Sequence, residues 1–93
     1  LEWYKKAARN GDADALNNVG WMYATGQGLD ANSQEAYRWF AEAAKHGDMG
    51  SQFEVSRRLR EGDGVEKNMV GAFEWLLVLQ AQESTFLLKT GSK

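Results

Sequence analysis

Trp3, Trp39 and Trp75 stand 36 residues apart in a chain of 93, and much of the remaining sequence repeats with them. The same offset pairs Ala7 with Ala43, Ala8 with Ala44, Gly11 with Gly47, Asp12 with Asp48 and Val19 with Val55. It also pairs Gly26 with Gly62, Gly28 with Gly64, Asn32 with Asn68 and Ala36 with Ala72. Conservative matches fill in the register at Tyr4/Phe40, Leu29/Val65, Asp30/Glu66 and Tyr37/Phe73. A period in this range belongs to one supersecondary unit stacked on copies of itself, because a single unit cannot bury its apolar face alone.

Each unit reads as two helices. Apolar spacing predicts first helices over 13–25 and 49–61 and second helices over 33–46 and 69–82, with the end of an earlier copy at 1–10. Ala36, Trp39, Phe40, Ala43 and Ala44 fall on one helical face, as do Ala15, Val19, Met22 and Tyr23. Asn32 followed by Glu35 has the spacing of a capping box, and Asp12 and Asp48 are placed to cap the first helices. Gly11 and Gly47 suit the left-handed position just past a helix end. Gly26-Gln27-Gly28 and Gly62-Asp63-Gly64 are the connectors within each pair. With no preceding strand and no following Lys-Ser/Thr, they read as turns rather than phosphate cradles.

With 93 residues and no cysteine, the chain has neither disulfide staples nor a thiolate metal site. Its net charge of −2 lacks the basic stripe that nucleic acid demands. The longest apolar run, Trp75 to Leu79, is far below the roughly 20 residues of a membrane span. The chain opens on a helical pattern at Leu1, so a piece of a longer array is expected.

The run Trp-Tyr-Lys-Lys-Ala-Ala-x-x-Gly-Asp-Ala at 3–13, followed by Ala15, Val19-Gly20-Trp21-Met22-Tyr23 and Gly26-x-Gly28-Leu29, resembles a Sel-one-like repeat (SLR). Ala36-x-x-Trp39-Phe40-x-x-Ala43-Ala44-x-x-Gly47-Asp48 resembles it equally, and the likeness covers about residues 1–80. It implies an all-α solenoid, a right-handed superhelix of antiparallel helix pairs related to tetratricopeptide repeats. It implies, too, a non-enzymatic adaptor whose concave surface binds a protein or peptide, in bacteria often in envelope or host-interaction settings. The domain then divides into a truncated repeat over 1–11, repeats over 12–47 and 48–83, and a cap or disordered tail over 84–93. Cysteine-rich relatives linked to β-lactam binding and hydrolysis supply an enzymatic alternative, but this chain lacks their cysteines and any Ser-x-x-Lys motif. A structural spacer is the third reading.

The repeat departs from its pattern at named places. Ser56 replaces a glycine, Arg58-Leu59 replaces Met-Tyr, Leu79-Gln80 replaces Ala-Ala, and Glu83 stands where Gly11 and Gly47 stand. Phe86, Leu87 and Leu88 are expected to fold back over the last helix pair as a cap. The tryptophans of the repeat read as packing markers, since flanking alanines let helices approach.

The binding candidates lie on the first helices, outside the packing face. Asp14, Asn17, Asn18, Trp21 and Thr25 make one stripe; Gly50, Phe53, Glu54, Arg57 and Glu61 make its counterpart. Asn17, Asn18, Trp21, Phe53 and Arg57 are the expected partner-binding set, because amides hold a peptide backbone while Trp and Arg are common interface anchors. The competing reading is an ordinary solvated helix face. Leu77, Val78, Leu79 and Phe86 form a second candidate surface, for capping or for a homodimer through the last helix. His46 is the only histidine and has no companion for metal binding. Ser33, Ser51, Ser56 and Ser84 have no evident base, and Arg57, Arg58 and Arg60 read as local salt-bridge formers. Neither metal, cofactor nor catalytic residue is expected.

Overall fold

The computed structural model describes residues 2–91, with side chains described as far as Thr85. Among these there are five helices: α1 (Glu2–Arg9), α2 (Ala13–Thr25), α3 (Ser33–Lys45), α4 (Met49–Glu61) and α5 (Met69–Gly91). Each packs on the next in chain order, giving an all-α solenoid. The extents of 47 × 31 × 17 Å reflect that serial stacking, in which no element wraps around a common centre.

The helices start where polar caps dictate. Asp12 accepts from the amides of Asp14 and Ala15, Asp48 from Ser51, Asn32 from Glu35 and Asn68 from Gly71. These bonds satisfy first-turn amides that have no partner within the helix. At Asn32 the backbone amide donates to the Tyr23 carbonyl at 2.8 Å, so it is committed to the end of α2. The Asn68 amide repeats the bond one period on, to the Leu59 carbonyl at 2.8 Å. Each connector is thereby sewn to the helix it leaves.

The core lies on both sides of α3. Ala43 joins Ala8, Ala15 and Leu16 in one cluster, with Tyr4, Ala7 and Trp39 packed against it. Ala36, Phe40 and Ala44 join Val55, Leu59 and Ala72 in the other, with Tyr37, Ala41 and Trp75 alongside. Phe40 is fully buried, and Gly20 makes room for it: a Cβ at Gly20 would sit 2.9 Å from the Phe40 ring. Trp39 and Trp75 pack as expected of markers, but Trp3 is 72% exposed, its ring edge-on to Tyr4 at 5.3 Å. No helix precedes α1 among the described residues to do for Trp3 what α2 does for Trp39.

The last helix departs from expectation. Instead of ending near residue 82 with a tail folded back, α5 runs unbroken to Gly91. The reason is local. Gly47, just past α3, has φ +91°, a conformation that L side chains rarely adopt, and it starts the turn into α4. Glu83 cannot take that geometry cheaply, and nothing from Gln82 to Thr90 breaks a helix, so the turn is lost and α5 continues. Phe86 to Leu88 are part of that helix and do not fold back; their side chains lie outside the described residues, as do Ser92 and Lys93.

Two measurements check this account. Phe40→Ala should lower unfolding stability by about 3–5 kcal/mol, whereas Trp3→Ala should stay within about 0.5 kcal/mol, as read by urea titration. Glu83→Gly should end α5 early, with the Cα chemical shifts of residues 84–91 moving to coil values.

Candidate functional site

A polar tie joins the two first helices, α2 and α4, at the start of α4. Asn17 Nδ2 donates to Ser51 Oγ at 2.7 Å and to Asp48 Oδ2 at 3.3 Å. That Asp48 carboxylate also accepts from the Ser51 amide and hydroxyl, so the cap of α4 and the contact between repeats are one network. Asn17 is therefore half-buried with its donor group committed, while Asn18, next along, is exposed.

Trp21 is 44% exposed, yet its ring is not loose. It meets the buried Phe40 edge-on, centroids 5.0 Å apart and planes at 75°. The Arg58 guanidinium lies 5.1 Å from the same Phe40 ring, a cation–π contact out of water. Phe53, one period after Asn17, is 55% exposed on α4.

Arg57, one period after Trp21, is enclosed by carboxylates: Glu54 at 2.6 Å, Glu61 at 3.0 Å and Asp63 at 3.5 Å. The Glu54 hydrogen bond, then the Coulombic pull of Glu54, Glu61 and Asp63, raises its pKa further above the ordinary arginine value, against an opposing effect of burial. It is a charge already balanced by its own chain.

Sequence inspection missed the burial of Glu54 and Arg58. Glu54 falls on the stripe expected to face solvent, but it is 7% exposed and holds Arg58, 3% exposed, through an Nε–Oε2 bond of 3.0 Å. Arg58 Nη1 is buried without a hydrogen bond; Asp63 lies 3.5 Å away, near enough for charge attraction but not placed for bonding. The replacement of Met22 by Arg58, together with Asn18 by Glu54 at i−4, was the available signal. A second polar rung lies nearby, where Gln52 Nε2 donates to the Ala44 carbonyl and to Gln82 Oε1, and Gln82 Nε2 donates to the Gly47 carbonyl.

On α5, Leu77 and Val78 are exposed and Leu79 is half-buried; the side chain of Phe86 lies outside the described set. Another concavity, about 490 Å³, opens between the C-terminal ends of α1 and α3, with Leu16 and Trp39 inside and Arg9, Glu42 and His46 at its rim. Ser51 and Ser56 spend their hydroxyls on structure, donating to Asp48 and to the Ala72 carbonyl. Among the described residues, no cluster of His, Cys, Asp or Glu could hold a metal ion, and no helix is long and apolar enough to cross a membrane.

Serial helix pairs of this period, with these caps and glycine connectors, match the Sel1 repeat model over residues 1–12, 13–48 and 50–77. The chain belongs to the Sel1 repeat family. Among solved structures, a Sel1 repeat protein from Oxalobacter formigenes is 34% identical with a TM-score of 0.83, aligning 87% of this chain with 61% of that one. An SLR-fold protein, c5321, described as a protective antigen of uropathogenic Escherichia coli, is 33% identical with a TM-score of 0.81, over 96% of this chain and 21% of that one. Cysteine-rich protein B of Helicobacter pylori shares the fold at a TM-score of 0.83 and 17% identity, over 87% of this chain and 61% of its own. The chain thus spans less than two thirds of the length of each of these proteins. Comparison with curated protein sequences gives no match. Sel1 repeats generally serve as protein–protein interaction modules.

The Glu54–Arg58 pair gives a direct test. Removing one partner leaves a buried charge uncompensated, so Glu54→Ala should cost about 3–5 kcal/mol in urea unfolding. The double replacement Glu54→Leu with Arg58→Met should recover most of that loss.

Proposed function

We propose that the face formed by α2 and α4 binds a peptide segment of a partner protein, with Trp21 and Phe53 as its apolar anchors. The observation that carries this reading is the exposure of two large aromatic rings on rigid helices, one of them seated against the core. A contact side chain fixed before binding loses little entropy on binding, which is where preformed surfaces gain affinity. Asn18 offers a free amide to the peptide backbone. Asn17, its amide donor used by α4, offers its carbonyl oxygen as an acceptor. Arg57 is already paired with Glu54, Glu61 and Asp63, so the groove favours a peptide with apolar side chains over an acidic one.

The role is non-enzymatic, a reading supported by the structural use of Ser51 and Ser56. Self-association through α5 is the second reading, favoured by the exposure of Leu77 and Val78 on that helix.

Selection from a random peptide library on the immobilised protein tests the first reading. Enriched peptides should carry aromatic or aliphatic residues and bind the Trp21→Ala variant at least about tenfold more weakly. Equal binding to wild type and Trp21→Ala, with circular dichroism unchanged, would overturn it.

A further inference from the structure

Gly11 after α1 and Gly47 after α3 both turn the chain in left-handed geometry, and at each a side chain of the next second helix lies against the glycine. At Gly47 that side chain is Gln82 of α5, and it closes a polar rung. Gln82 Nε2 donates to the Gly47 carbonyl at 2.6 Å, and Gln52 Nε2 of α4 donates to Gln82 Oε1 at 2.8 Å. The 36-residue offset puts His46 in the place of Gln82, Leu16 in that of Gln52 and Arg9 in that of Lys45. His46 reaches the same spot, its Cε1 3.7 Å from where a Cβ on Gly11 would lie. Leu16 has no amide to complete the rung. Among the described residues, neither the His46 ring nor the Gly11 carbonyl makes a hydrogen bond.

Where the second unit has its rung, the first has the concavity of about 490 Å³ between the C-terminal ends of α1 and α3. Its floor is the buried Leu16 and the half-buried Trp39. Arg9, exposed at the rim, has no ion pair among the described residues, whereas Glu42 is held by Lys45 at 3.4 Å. An apolar floor, an unused carbonyl and an unpaired guanidinium thus share one recess. The recess is internal to the stack, since its walls are the three consecutive helices α1, α2 and α3. In the second unit the preceding first helix, α2, is present, yet the corresponding spot is filled by Gln82 of that unit's own second helix. Stacked repeats therefore leave this position to the side chains of the unit itself.

We propose that this recess binds an apolar carboxylate with an adjacent N–H, the chemistry of an acylated amino acid, either free or at the end of a peptide chain. The carboxylate pairs with Arg9, and the apolar side chain covers Leu16 and Trp39. The N–H donates to the Gly11 carbonyl, as the Gln82 amide donates to that of Gly47. The ligand so supplies from outside the bond that the first unit lost with its glutamines. Neither Trp21 nor Phe53 lines this recess, so the site does not rest on the peptide face of α2 and α4.

The test is a nitrogen–proton NMR titration of the 93-residue protein with two probes, N-acetylphenylalanine and an acetylated hexapeptide ending in phenylalanine with a free carboxylate. Each should give saturable shifts at the Gly11 and His46 amides and the Trp39 indole, with a dissociation constant on the order of 1 mM for so small a ligand. The same hexapeptide amidated at its end, and the Arg9→Gln variant, should each show binding weakened about fivefold, as expected when an exposed ion pair is lost. Glu42→Gln should tighten binding by removing the competing carboxylate. His46→Gln installs the residue of the second unit, which can take up the Gly11 carbonyl, and should weaken it. Arg38→Ala, at the other end of α3, should change nothing. A hexapeptide tighter than the free acid marks a chain end as the ligand, and equal affinities mark the free acid; either supports the proposal. No saturable shift at Gly11 and Trp39 overturns it, as does equal binding of the amidated peptide. Shifts centred instead on Trp21 and Phe53 would put the probe on the α2–α4 face and overturn it as well.

Discussion

Phe40 is the side chain on which the two repeats depend. Its ring fills the space left by Gly20 of α2, takes Trp21 edge-on, lies beneath the Arg58 guanidinium and joins Val55 and Leu59 of α4. Helix pairs in a solenoid have no shared centre, so their cohesion is the sum of interfaces between neighbours. One aromatic joining its own helix to both α2 and α4 therefore couples what would otherwise be separable hairpins. It also fixes Trp21, and through Trp21 the geometry of the candidate peptide face. The stability of the fold and the shape of its recognition surface share a side chain.

The second repeat solves the same packing problem with different chemistry. Where the first has Leu16, Asn18, Gly20 and Met22, the second has Gln52, Glu54, Ser56 and Arg58, all four buried. A polar interior tolerates this because most of the groups find partners: Gln52 on Gln82 and the Ala44 carbonyl, Ser56 on the Ala72 carbonyl, Arg58 on Glu54. Such bonds are directional, so they favour one register of α5 on α4 where an oily interface would admit several. That register in turn leaves Phe73, Leu76 and Leu77 exposed together on α5.

Much of the fold was legible from the 36-residue offset. The first helices appear where the apolar spacing puts them, at Ala13–Thr25 and Met49–Glu61, and the caps at Asp12, Asn32 and Asp48 are made as their side chains predict. These are local effects, set within a turn or two of chain. The end of α5 differs from its expected place near residue 82 for an equally local reason: Glu83 in place of a glycine extends the helix to Gly91 instead of ending it. The candidate site was less legible. Trp21 and Phe53 are exposed as their positions off the packing face imply, but Asn17, Glu54 and Arg57, on the same stripe by spacing, engage other groups of the protein.

The sequence by itself determined the period, the helices, their polarity and the family, because periodicity and capping are written in neighbouring residues. Tertiary structure alone decided which polar side chains are spent inside the protein. Asn17 reaches a partner 34 residues away on another helix, and Arg57 gathers Asp63 from the loop beyond its own helix. No spacing rule within one helix reports such contacts, since they depend on how closely two helices approach. The same holds for the exposed end of α5. Its residues look like core by pattern, and only the stacking order shows that no described helix covers them.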